Sequence, residues 1–354
     1  MGEGVLGMIG IKKEAKKPEI IAFLMHLGTN NWQNKGHNAR SYLDNEDFVY
    51  RDELNCDKET WRKVTEFLPS CGINTLVIDV ADGVVYDKHP EISIPGAWTK
   101  AEMRQELDRL RAMGITPIPK CNFSCCHDAW LKEYSKMVGT EIYNEVCKDV
   151  IEELIELFDN PEFFHLGLEE EDYNSQMGTP FAIVRDSIDR LEGANRLFDI
   201  CRAHGVRPWI WVDAKSIDGL GGDEMFKKYI GKDVLLSNFY YESLRFHSQM
   251  CEKNEFASYC CKFDEWGYEQ IPTGSTWSWH LSNKDIVRFS KNFLSEKTLK
   301  GYMSASWMLT TKRKFYALMN DAANLGFAVE DIYAEPMLDK NINLLATAEK
   351  KLSK

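Results

Sequence analysis

Four consecutive acids, Glu169, Glu170, Glu171 and Asp172, follow directly on the apolar run 163–168, Phe-Phe-His-Leu-Gly-Leu. Like charges packed this closely raise the cost of ionising at least one of the carboxyls. A carboxylic acid that stays protonated near neutral pH is what a general acid requires. The same four acids would also serve as a solvated loop capping the next helix. Glu169 and Glu170 therefore become catalytic candidates only if other chemistry converges on them.

Aromatic residues gather at comparable positions. Trp211, Trp277, Trp279 and Trp307, with Tyr240 and Tyr241, each end or follow an apolar run, although the chain holds only 10 tryptophans. Sugar rings stack their apolar faces on indoles and offer hydroxyl edges to carboxylates, so acids and tryptophans at one rim predict a carbohydrate pocket. The alternative is that these indoles plug the upper layer of a core. His165, Asp79, His127, Asn122 and Asp213 lie at or near the ends of other runs and join the aromatics as candidate substrate contacts. The cluster Cys121, Cys125, Cys126 and His127 lacks the spacing of zinc-ligand pairs, and no second C-x-x-C or H-E-x-x-H accompanies it, so neither a metal nor another cofactor is expected. A Cys/His nucleophile is no better supported, for no G-x-S-x-G turn is present.

Such residues need a scaffold that brings run ends together. Short apolar runs without strict alternation recur at 20–27, 74–80, 116–121, 163–168, 208–212, 234–239, 269–273 and 302–307. They read as strands buried on both faces. Between them lie amphipathic segments such as 58–71, 100–113, 140–158, 181–204, 283–293 and 314–325, several stopped by glycine at Gly72, Gly114, Gly205 and Gly326. Thr99 with Glu102 reads as a capping box and Asn283 as an N-cap. Eight such units predict a (β/α)8 TIM barrel over 19–335, preceded by a loose arm, 1–18, and followed by a helical tail, 336–354. A doubly wound sheet would want G-x-G-x-x-G after the first strand, where only Gly28 stands.

With 44% hydrophobic and 28% charged residues among 354, the chain is neither disordered, collagenous nor a small disulfide scaffold. Its net charge of -12 repels a nucleic-acid backbone, so nucleic acid is not an expected partner. Ten cysteines, including the adjacent pairs Cys125-Cys126 and Cys260-Cys261, read as reduced thiols and predict a cytoplasmic protein. The apolar stretch 5–11 precedes the basic run 12–17, the reverse of a signal peptide, and is too short to span a membrane.

Segment 164–170, Phe-His-Leu-Gly-Leu-Glu-Glu, resembles the His-x-Gly-x-Asp-Glu signature that ends the fourth barrel strand of the family 20 β-N-acetylhexosaminidases. Segment 74–82 is similar to that family's second strand, and 96–102 to its Gly-x-Tyr-Thr-x-x-Glu helix start. Segment 114–119, followed by His127, is similar to its third strand, usually Gly-Ile-x-Val-Ile-Pro-Glu-x-Asp-x-Pro-Gly-His. The likeness is collinear over 73–172; beyond that it rests on tryptophan placement. In this family the substrate's acetamide oxygen attacks the anomeric carbon, an exception to schemes in which the enzyme supplies the nucleophile. The resemblance implies Glu170 as general acid/base and Glu169 in the place of the Asp that orients the acetamide. It also implies that His165 supports the strand end, that the four tryptophans wall the terminal-sugar subsite, and that Tyr240 or Tyr241 bonds the acetamide.

This sequence departs from the pattern at several points. Glu169 is one methylene longer than the family's Asp, Asn122 replaces an Asp and Lys120 a Glu. The first strand lacks an Arg, leaving His26, Asn31 or Arg40, and Trp307-Met308-Leu309-Thr310 replaces a Trp-Gly-Glu ending. Three further readings stay open: a glycosidase for a sugar without an acetamide, using Glu169 or Glu171 as nucleophile; a sugar-binding barrel without hydrolysis; and a metal-assisted hydrolase using His26, Asp79, His127, His165 and Asp213. The first expectation is an exo-acting, retaining hydrolase whose partner is a carbohydrate, with no membrane involved. A homodimer is compatible with it, since barrels often pair through loop faces.

Overall fold

The computed structural model describes residues 16–28, 30, 50–171, 176, 181–244, 255–277 and 280–335. The apolar runs form strands β1 (Ile20–His26), β2 (Thr75–Asp79), β3 (Thr116–Lys120), β4 (Phe163–His165), β5 (Arg207–Val212), β6 (Leu235–Asn238), β7 (Thr273–Gly274) and β8 (Gly301–Ala305). They pair in the order β6-β5-β4-β3-β2-β1-β8-β7, every pair parallel. Bridges Leu236–Gln270 and Phe239–Thr273 tie β6 back to the β7 segment, so the sheet curls into a nearly closed barrel. With helices between successive strands, this is the expected (β/α)8 architecture.

The period-2 geometry of a strand divides the core. Ala22, Leu24, Val77, Ile118, Phe163, Trp209, Trp211, Leu235, Ile271, Met303 and Ala305 pack together inside the barrel. Their neighbours Ile21, Phe23, Met25, Leu76 and Ile78 face the helices. Among those helices, Lys100–Ala112 begins with the capping box Thr99–Glu102, and Gly72, Gly114 and Gly205 each turn the chain at positive φ.

Four details differ from the sequence reading. The ladder of β7 falls at Thr273–Gly274, past the expected 269–273, because Pro272 has no N–H to donate. The last helix continues through Gly326 as Phe315–Ala334; a Cβ at Gly326 would collide with the Cys71 carbonyl, so the glycine permits close packing and ends nothing. Asn283 lies inside helix Ser282–Phe293, where its amide donates to Ser304 Oγ and Asn324 Oδ1, both at 3.0 Å, in place of capping. Segment 181–204 becomes helical only at Ser187, where the Asp186 side chain accepts from Asp189 N. Most of the predicted arm and all of the tail 336–354 lie outside the described residues. Among those described, no helix is long and apolar enough to cross a membrane.

Candidate active site

Beyond β4 the chain leaves the sheet through Gly167, Leu168 and Glu170, with φ of +75°, +72° and +56°. Left-handed conformations strain residues that carry a Cβ and persist where the surroundings over-determine them. Glycine is required at 167, since a Cβ there would collide with the Asn122 amide. The loop after β3 supplies the restraint. Asn122 Oδ1 accepts from Leu168 N (3.3 Å) and Ser124 N (3.1 Å), while its Nδ2 donates to Glu169 Oε1 (2.8 Å). The Cys126 thiol donates to the Glu170 carbonyl (2.8 Å), and Cys125 N to Glu171 Oε1 (3.3 Å). The cysteine cluster thus straps down the acid loop.

The three adjacent acids of this loop have three different surroundings. Glu169 is buried, its Oε2 facing no hydrogen-bond partner among the described residues. Burial, helped by Glu170, outweighs the pull of His127 and Lys120 and raises its carboxyl to about 7. Glu170 stands at the rim with its side chain 46% exposed, its Oε2 3.0 Å from His127 Nε2. Burial favours a neutral His127 ring, but the adjacent Cys126 and the two acids outweigh it and hold the imidazole pKa well above its ordinary value. Glu171 turns the other way, gripped by Arg185 (2.5 and 2.6 Å) and by Arg190 (3.1 Å).

Below the acids sits a charged floor. Asp79 Oδ2, at the end of β2, lies 2.7 Å from Lys120 Nζ and 3.1 Å from His26 Nδ1, all three side chains fully buried. Burial alone would raise the Asp79 carboxyl, yet Lys120 and His26 together hold it at about 2. His165 accepts from Gly167 N through Nδ1 (3.2 Å), and its ring lies 4.5 Å from Trp211 and 5.2 Å from Trp209. Burial, then the Lys120 charge, keep it well below the usual imidazole pKa, hence neutral. Its Nε2 and the Trp211 Nε1 are buried without partners among the described residues.

Aromatic rings complete the mouth. Trp307 lies 5.6 Å from His26, 5.7 Å from Trp211 and 6.4 Å from Tyr241, and Tyr241 lies 6.4 Å from Trp277. Burial raises the Tyr241 phenol well above its normal range, Trp307 opposes, and Glu170, Glu169 and Asp213 add to the rise. Asp213 caps helix Ala214–Gly219 through Ser216. Burial raises its carboxyl, Ser216 opposes, and Glu170 adds to the rise.

The structure therefore gathers Glu169, Glu170, His165, Asp79, His127, Asn122, Trp211, Asp213, Tyr241, Trp277 and Trp307 at the carboxyl ends of the strands. It does not bring Tyr240 there: alternation turns that ring outward onto Phe256, stacked at 5.3 Å. Trp279, Asn31 and Arg40 lie outside the described residues. Sequence reasoning missed Arg185 and Arg190, which fix the third acid; nothing in their spacing signals a partner at Glu171. Among the described residues no three His, Cys, Asp or Glu side chains gather as metal ligands do.

Fold and site together define a (β/α)8 barrel with a carboxylate pair and an aromatic floor at the carboxyl ends of its strands. The sequence matches no protein-family model and no curated protein. Solved structures do resemble it. A β-N-acetylhexosaminidase from Bacteroides fragilis superposes with a TM-score of 0.56 at 14% identity, over 95% of this chain and 69% of that one. A mutant Streptomyces plicatus β-hexosaminidase in complex with product (GlcNAc) gives 0.57 at 13%, over 87% and 64%. The family 20 β-N-acetylhexosaminidase of Streptomyces coelicolor gives 0.56 at 11%, over 92% and 72%. At such identities the likeness establishes a shared fold.

Proposed function

We propose that this chain is an exo-acting glycoside hydrolase that removes a terminal N-acetylhexosamine with retention, the substrate's acetamide serving as nucleophile. The observation that carries the reading is the division between two adjacent acids, Glu169 buried against the Asn122 amide and Glu170 at the rim against His127. A pyranose laid on Trp307 would set its acetamide over Glu169 and its glycosidic oxygen near Glu170. Glu170 protonates the departing oxygen and then takes a proton from the attacking water. Glu169 meets the positive charge that develops on the oxazolinium-like ring, which favours its ionised form. The Asn122 amide donates to the Glu169 carboxylate where an Asp would repel it. The unpartnered His165 Nε2, Trp211 Nε1 and Glu169 Oε2 are the kind of buried groups that sugar hydroxyls and an acetamide satisfy. Solved structures of this fold that hold GlcNAc or thio-NAglucal support a carbohydrate ligand. Glu171, paired with two arginines, is not free to act as an enzyme nucleophile.

The test is a panel of aryl glycosides. Aryl N-acetyl-β-hexosaminides should be hydrolysed, with inhibition by N-acetylglucosamine-thiazoline and no covalent labelling by 2-fluoro sugars. Labelling of Glu169 would replace substrate assistance with an enzyme nucleophile. Inertness towards the whole panel would remove the hydrolase reading.

A further inference from the structure

Outside the barrel mouth, a cavity of about 430 Å³ lies between helix Ser187–Ala203, helix Glu141–Leu157 and the outer face of β5. It reaches the surface between Thr140 and Val184, both exposed. Ala194, Phe198 and Ile217 are among its apolar walls, while Glu171, Arg185 and Arg190 form a charged end. The size is that of sites for small organic molecules, roughly 300–1,000 Å³.

Two guanidiniums meet the Glu171 carboxylate, with the buried Asp128 carboxyl within electrostatic reach of Arg185 and Glu171, and Arg185 Nε is buried without a partner among the described residues. Exposed Asp189 and Arg196 also line the cavity, Arg196 lying 3.7 Å from Glu192. Gly193 keeps room for this arrangement, since a Cβ there would press on Arg185 Nη1 at 2.9 Å.

We propose that this cavity binds a small amphipathic carboxylate, its hydrocarbon body against Ala194 and Phe198 and its anionic head on Arg185. The head would share or contest Arg185 with Glu171. Because Leu168 and Glu171 both line the cavity and bracket Glu169 and Glu170, occupancy would be felt by the acid loop. Binding itself is independent of the proposed hydrolase activity and can be measured without any glycoside.

The experiment is calorimetric titration of the full chain with sodium octanoate and, in parallel, octanol. Octanoate should bind saturably, one molecule per chain, and about tenfold more tightly than octanol, as a charge-assisted hydrogen bond provides. Ala194→Trp, which closes the cavity, should weaken both ligands at least about tenfold. Arg185→Gln should bring octanoate down to the level of octanol and leave octanol unchanged; Arg190→Gln replaces it if that variant loses its circular-dichroism signature. Absence of saturable octanoate binding to folded wild-type protein would overturn the proposal. So would undiminished binding by folded Ala194→Trp, or equal affinity for the acid and the alcohol.

Discussion

Asp79, at the end of β2, and Glu169, beyond the end of β4, are both shut away from solvent in one barrel, yet one carboxyl is held at about 2 and the other at about 7. Burial pushes both upward. The difference lies in the company each keeps. Asp79 has Lys120 and His26 against one oxygen, a closed arrangement that supports the barrel floor. Glu169 has a single amide bond and an oxygen facing no partner among the described residues. Asp321, between the last helix and the barrel, is likewise raised to about 7 by burial, against the opposing hydrogen bond from Ser304 at 2.7 Å. A raised carboxyl marks a candidate site only where it also faces a space that a ligand can enter.

The largest expected effect belongs to the rim. Replacing Glu170 by Gln should lower kcat on an aryl N-acetyl-β-hexosaminide by roughly 10²–10⁴-fold with the fold intact, since a positioned proton donor contributes about that much. A loss below tenfold would move the acid role elsewhere and dissolve the contrast between rim and floor.

At the floor the expected effect falls on stability. Asp79→Asn leaves the Lys120 ammonium uncompensated in the core and should cost about 3–5 kcal/mol in urea unfolding. Because the folded carboxyl sits below its ordinary value of 3.8, its stabilisation is complete above about pH 4 and is lost as pH falls towards 2, on the order of 2 kcal/mol. The variant should lack that part of the acid destabilisation. An unfolding midpoint equal to wild type at pH 6 would refute the closed-floor description.

Glu169→Gln should act in the opposite direction. Its carboxyl is raised from 4.5 to about 7, so the folded state is unpenalised below about pH 4.5 and loses stability as pH rises through 7. The amide removes that cost while still accepting from Asn122. We expect equal stability at pH 4 and a gain on the order of 3 kcal/mol at pH 8, with activity lost. Destabilisation at pH 8 would mean that Glu169 is a structural acid like Asp79.

Much of this arrangement is legible in the sequence. The barrel follows from eight apolar runs at regular spacing, and the acid pair from four carboxyls that open out of one of them. What cannot be read is direction: neighbouring Tyr240 and Tyr241 look interchangeable, and only the pleat decides that one meets Trp307 and Trp277 and the other Phe256. Nor does local pattern distinguish Glu171 from Glu169, because the partners that separate them, Arg185 and Asn122, are 14 and 47 residues away in the chain. The helix-stop rule fails at Gly326 for a related reason: a glycine that ends a helix and one that admits a neighbouring backbone look alike until the neighbour, Cys71, is in place.

The smallest effect expected is at the outermost ring. Trp277 is 41% exposed and meets the edge of Tyr241, whereas Trp211 is buried among His165, Phe239 and Trp307. An exposed indole that stacks on a sugar contributes about 0.5–1.5 kcal/mol beyond its burial, and it does so equally in the ground and transition states. Trp277→Ala should therefore raise KM by roughly threefold to tenfold and leave kcat within about twofold, because uniform binding affects only the former. A fall in kcat of comparable size would place this ring beside the reacting carbon and extend the buried floor outward to the rim.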